Sequence, residues 1–389
     1  MVDDRSVIHR VAWLDVCPWL MIFRVFRLSI SLPVLFLATV GALLTVAFQP
    51  TRLVFPTSDV TDLSLAPYAM PGQMSWPLDA SADRMLSDGP MSAVYSFFAN
   101  PVWRLFDSYA TTKVFLQNLI TAGWNVLVWS LFGGAITRVA VVQLGRDERL
   151  GTADAVRHAV RNWGWYAAAP LFPLLGVALL MLPLAVLGLL GRLDLFVLVA
   201  GILWPFVLVA GLAMTLLLMG LLVGWPLMWP TISAESDSDA FEAFNRSFSY
   251  SFQRPLQYLF YAVLAVLFGQ LSWFLVEHFA GAVVGLSHWA VTFGAGLGRT
   301  TGSGEDPSSL LRAGAWLIAM WDGLVFLIAR AFRFSFFFCA ASAIYLLLRR
   351  EVDQTDFDDV FREDESIRYG LPQLRPGPGG VPEVAESGK

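Results

Sequence analysis

The chain has 389 residues, 56% of them apolar and 15% charged, with a mean hydropathy of +0.60. Soluble domains are far more polar, and several uncharged stretches are long enough to cross roughly 30 Å of hydrocarbon as helices. The net charge of −5 decides little, because placement of charge outweighs its sum in such a chain, and nucleic-acid binding has no support without a basic cluster interleaved with aromatics.

Residues 1–27 carry Arg5, Arg10, Arg24 and Arg27 among Val7, Ile8, Trp13, Leu14, Trp19 and Leu20, which predicts a cytoplasmic amphipathic segment at the interface. The first span covers 28–48. It exceeds a signal-peptide core and lacks a small-residue cleavage site, so it reads as a retained anchor. Residues 49–112 form a polar, proline-rich extracytoplasmic loop whose part 91–107 is expected to rest on the membrane surface. The second span, 114–144, contains Gln117, Asn118, Asn125 and Arg138, polar groups that predict packing against protein. Arg138 is placed at the interface.

A cytoplasmic elbow follows at 145–163. Thr152 is the expected N-cap, with Asp154 in the first turn. Leu150, Ala153, Val156, Ala159, Val160 and Trp163 form an apolar stripe at helical spacing. Spans three and four cover 166–190 and 195–228, the latter long enough for tilt, protrusion or a kink near Pro205. A second elbow, 231–255, has Ser236-Asp237-Ser238-Asp239 in the place of a capping box and an aromatic stripe of Phe241, Phe244, Phe248 and Phe252. The fifth span covers 256–276, closed by Glu277 and His278. The glycine-rich stretch 279–312 is expected to be interfacial or re-entrant. The run 313–348 reads as one long helix, because nothing near Arg330 favours a turn. A third elbow containing Asp356 and Arg362 is expected as an acidic helix, within a cytoplasmic 351–389 segment that ends in a disordered tail. The fold class is therefore all-α, a polytopic bundle of about six spans with amphipathic helices between or after them.

Orientation follows from the arginines. Arg5 to Arg27, Arg138 to Arg161, Arg246 and Arg254, and Arg349 to Arg368 all fall on one side. Arg192, Arg299 and Arg312 fall on the other. The positive-inside rule then puts both termini and all elbows in the cytoplasm, and six spans satisfy that parity. The expected location is the bacterial cytoplasmic membrane.

The stretches GGAITRVAVVQLGRDERL (133–150), GWPLMWPTISAESDSDAFEAFNRSFSY (224–250) and QRPLQYLFY (253–261) resemble an uncharacterised family of polytopic bacterial inner-membrane proteins found mainly in planctomycete-type genomes. That resemblance implies a topology and no activity. Against the family's usual elbow, Ser236, Glu242, Asn245 and Phe248 replace Gly, Asp, Ser and Tyr, which argues against a strict chemical role there. The amphipathic helix after a span is also distantly similar to the membrane domain fused to some glycerophosphodiester phosphodiesterases, without their catalytic domain.

Two sets of charges stand out. Asp154 and Arg161 recur as Asp239 and Arg246 with the same spacing, either as a docking surface or gate, or as caps and lipid-phosphate contacts. The structural reading is favoured. Asp322, Arg330 and Arg333 lie in or near the last span, where ionisable groups are costly and default to functional candidates. The alternative places Asp322 at the outer interface with the arginines snorkelling, or paired with Asn125 or backbone carbonyls. Metal binding by Glu277, His278 and His288 is disfavoured by their spacing, and Ser287 beside His288 is not a hydrolytic dyad, since neighbours on one helix point apart. Gly294 to Arg299 lacks the Lys-Ser/Thr of a phosphate loop. Cys17 and Cys339 are too isolated for a disulfide framework or a cofactor. No catalytic, metal or cofactor site is expected.

Two functions remain. One is a non-catalytic scaffold or accessory subunit with the bilayer and an unidentified protein as partners, homo-oligomerisation left open. The other is a small-solute or lipid transporter using Asp322, Arg330 and Arg333, although transporter folds usually break helices at midplane.

Overall fold

A computed structural model describes residues 16–48, 89–107, 109–236, 238–295, 308–362, 374–376 and 382–384. Ten α-helices account for nearly all of it: α1 Met21–Ser29, α2 Leu32–Ala47, α3 Pro90–Trp103, α4 Thr112–Arg146, α5 Thr152–Arg161, α6 Trp163–Leu190, α7 Asp194–Ala234, α8 Ala240–Gln253, α9 Pro255–Ala295 and α10 Ser309–Asp353. Helices α4, α6, α7, α9 and α10 are each long and apolar enough to cross a membrane, and α1 with α2 adds a sixth crossing if the pair is one bent span. The protein is a multi-pass helical bundle.

The first span is not the straight helix expected over 28–48. Its two halves meet at 70°, with Ser31 in an extended conformation and a proline at the start of α2. Pro33 has no N–H to continue the ladder. Helix α1 buries Met21, Ile22, Val25 and Leu28, so this stretch is seated in protein. The part of the predicted interfacial segment before residue 16 lies outside the described residues.

Helices α4 and α10 form the interior. Trp129 stacks on Phe334 with ring centres 3.9 Å apart, and Phe337 and Phe338 stack on Trp225 and Trp229 of α7. One face of the 91–107 stretch is drawn into the same core: Val94 and Phe98 of α3 are buried, and Phe97 and Phe98 meet Phe334 and Trp229 edge to face, while Trp103 and Phe106 are exposed. Ring partners of this kind are worth more than contact with lipid tails. By contrast, α6 and α7 leave most of their apolar surface outside the protein core.

Prolines fix how these helices meet. A helical proline leaves the carbonyl four residues earlier without its usual donor. Three such carbonyls are each met by a side chain from another helix. Asn125 of α4 donates to Phe97 O, opposite Pro101. Trp229 of α7 donates its indole N–H to Tyr166 O, opposite Pro170. Tyr95 of α3 donates to Leu222 O, opposite Pro226, and Tyr258 of α9 adds a bond at the next carbonyl, Val223 O. Hydrocarbon offers no substitute donor, which is why neighbours supply them.

Helix α7 runs past residue 228 to Ala234, and Asp239 caps α8 by accepting the Glu242 N–H at 2.8 Å. The cap is thus Asp239 with Glu242 following, not Ser236. In α5 the N-cap is Gly151, not Thr152. Its buried residues are Ala155, His158 and Ala159, while Val160 of the predicted stripe is exposed. The third elbow is not helical: α10 ends at Asp353, Gln354 takes a left-handed conformation, and 354–362 crosses the bundle end as an irregular strap with a turn at Phe357–Asp358. The glycine-rich region is helical through Ala295, without a break at Glu277. In the tail expected to be disordered, Leu374–Pro376 pairs antiparallel with Pro382–Val384.

Helix α8 seats on α7 where α7 is narrowest. A Cβ on Gly220 would sit 1.9 Å from the Phe248 ring. Gly220→Val should therefore destabilise by about 1–3 kcal/mol through overpacking, read as a lower midpoint when a thiol-reactive dye reports exposure of buried Cys339 in a Cys17→Ser background. An unchanged midpoint would show that α8 seats elsewhere.

Candidate functional site

The densest ionic cluster among the described residues lies where the end of α7 meets α8 and the end of α10. Along α10, Tyr345, Arg349 and Asp353 recur every four residues and share a face. Along α8, Glu242, Arg246 and Tyr250 do the same. Glu235, just past the end of α7, sits between the two rows. Its Oε1 lies 3.0 Å from Arg349 Nε and 3.2 Å from Arg246 Nη1, and accepts the Tyr345 hydroxyl at 3.0 Å. Arg246 also holds Glu242 at 2.8 Å and approaches Asp353 at 3.6 Å, and Tyr250 donates to Asp353.

Burial sets the electrostatics. Arg349 is 7% exposed and Glu235 16%, so this pairing is only weakly screened. Burial disfavours the Arg246 charge, but Glu235, Tyr345 and Tyr250 more than offset it and hold the guanidinium above its ordinary value. Burial, then the Asp353 carboxylate, pushes the Tyr250 phenol up. Both effects keep Arg246 charged and Tyr250 a neutral donor at physiological pH.

A second polar set adjoins it. Thr137 donates to Gly134 O, Ser233 to Thr137 at 2.7 Å, and Tyr166 to Ser233 at 2.8 Å, an order in which every hydroxyl proton has an acceptor. Arg138 donates to Ser233 O at 2.5 Å and is 3% exposed. It is buried within the protein. These bonds use up the hydroxyl donors and leave none aimed at a ligand.

The sequence candidates separate. Arg246 and Asp239 belong to the junction, the first as its hub and the second as the cap that positions α8. Their counterparts do not repeat this: Asp154 pairs with Arg157 at 3.0 Å in an exposed position, and Arg161 is exposed in the last turn of α5. Asp322 meets His288 of α9 at 2.7 Å. Arg333 lies 3.9 Å over the Trp273 ring, about 16 Å along α10 from Asp322, so Asp322, Arg330 and Arg333 do not converge. Asn125 instead serves Phe97 O. Ser287 donates to Val283 O while His288 faces Asp322.

The chain matches no protein-family model, no curated protein and no solved structure. The site's meaning therefore rests on its own residues. Glu235, Tyr250, Tyr345, Arg349 and Asp353 were not singled out by sequence. Arg349 enters the sequence reading only as one of the arginines expected in the cytoplasm, although the two every-fourth-residue rows, E-x₃-R-x₃-Y and Y-x₃-R-x₃-D, are complementary in charge. Among the described residues, no group of three or more His, Cys, Asp or Glu is arranged to hold a metal ion.

Proposed function

We propose that the protein is a non-catalytic scaffold or accessory subunit of the bacterial cytoplasmic membrane, multi-pass, with both termini and the elbows on the cytoplasmic side. The observation that carries this reading is the interlocked ionic junction. Glu235, Arg246, Arg349, Asp353, Tyr250 and Tyr345 engage one another across three helix ends, an arrangement that stiffens a platform and leaves no acid or base poised for a substrate. The distribution of arginines supports the orientation. The resemblance to polytopic planctomycete-type inner-membrane proteins fits the same picture. Helix α8, with Phe241 and Phe252 exposed on one side and polar groups on the other, suits an amphipathic helix at the inner interface.

Transport is the second reading, and the His288–Asp322 pair between α9 and α10 favours it. The two separate in one experiment. The Asp322→Asn, Arg330→Gln double variant is purified in mild detergent with whatever co-elutes stoichiometrically, and charge movement is recorded in proteoliposomes. The scaffold reading expects unchanged partners and no current in either protein. A current present in the unaltered protein and lost in the variant, with partners retained, would overturn it.

A further inference from the structure

The strap 354–362 does more than leave the membrane domain. Phe361 donates its N–H to Ala234 O, a carbonyl that helix α7 cannot satisfy at its own end. Arg146 at the end of α4 donates to Val360 O at 3.0 Å, and Arg349 of α10 to Asp359 O at 2.6 Å. Val360 is 2% exposed. Arg350 covers the Phe357 ring at 4.7 Å. The strap backbone lies so close to α4 that a Cβ on Gly145 would sit 2.5 Å from Phe357 O. Arg362 then pairs with Glu148, whose neighbour Asp147 holds Arg24 of α1. Three helix ends meet at this one segment, and the Asp147–Arg24 pair links its neighbour Glu148 to α1.

We propose that residues 354–362 are a latch: seated, they hold the ends of α4, α7 and α10 together and keep Glu235 in register with Arg349; released, they free the α7 end and loosen the Glu235 junction. Arg349 is the link, since it grips the strap through Asp359 O and Glu235 through its carboxylate. Val360 is the one buried side chain of the strap, so a charge there is the direct way to release it. A load on Phe361 reaches α7 through its bond to Ala234 O. The proposal does not depend on the scaffold reading, because it concerns coupling between the tail and the membrane domain whatever that domain carries.

The test is hydrogen exchange of the full chain in lipid nanodiscs, comparing peptides over 228–239 with peptides over 195–215. Val360→Asp should raise exchange at 228–239 at least tenfold and leave 195–215 unchanged. Glu148→Arg should give a smaller rise, and Glu148→Arg with Arg362→Glu should return protection toward that of the unaltered protein. If the strap itself exchanges freely in Val360→Asp while 228–239 stays as protected as before, the strap is a passive tail and the proposal fails. If Val360→Asp does not fold, the charge-swap series decides alone: no recovery in the double variant overturns it.

Discussion

Replacing Glu235 with Gln is expected to be the most damaging single change in the junction. It leaves Arg349, 7% exposed, and Arg246 without their shared carboxylate, and removing one partner of a buried pair costs about 3–5 kcal/mol. Part of that cost is the stranded Arg349 charge, so Glu235→Leu with Arg349→Leu should recover some of the loss, less what the lost Arg349 bond to Asp359 O costs. The measurement is the unfolding midpoint reported by the Cys339 thiol. If the double variant falls as far as the single one, the damage comes from packing and not from the abandoned guanidinium.

Trp229→Phe should follow in size, at about 1–3 kcal/mol, because it strands the buried Tyr166 carbonyl. Its particular signature is a rescue from another helix. In a Pro170→Ala background residue 170 regains an N–H that can close the helical bond to Tyr166 O, so Trp229→Phe should then cost less by about 1 kcal/mol or more. The ring stack on Phe338 is disturbed equally in both backgrounds and cancels in the cycle. Equal losses in the two backgrounds would show that the indole matters only as volume.

The spans were legible in the sequence because apolar length is what hydrocarbon demands, and α4, α6, α7, α9 and α10 all fall where hydropathy puts them. Which face of a helix is buried was not. An apolar side chain loses nothing by facing lipid, so the apolar stripe of α5 does not predict its contact side, and the small Ala155 and Ala159 are buried while Val160 is exposed. The bend at Ser31 and the non-helical third elbow depend on backbone detail that composition does not carry. Within the junction, Arg246 was visible as a repeated residue. Glu235 and Arg349 were not, since each reads as an ordinary polar boundary until the ends of α7, α8 and α10 are known to be neighbours. The charged set of α10 shows the same limit. Asp322, Arg330 and Arg333 share one helix, but the partners of Asp322 and Arg333 lie on α9.

The proline positions carry a consequence for assembly. Asn125, Trp229 and Tyr95 each reach a carbonyl that exists as an open acceptor at one depth on one helix. Shift the helices in depth and the donor leaves its carbonyl, which then needs another partner, since hydrocarbon supplies none. The three carbonyls together therefore favour the depth and rotation at which their donors reach them when separately inserted helices dock.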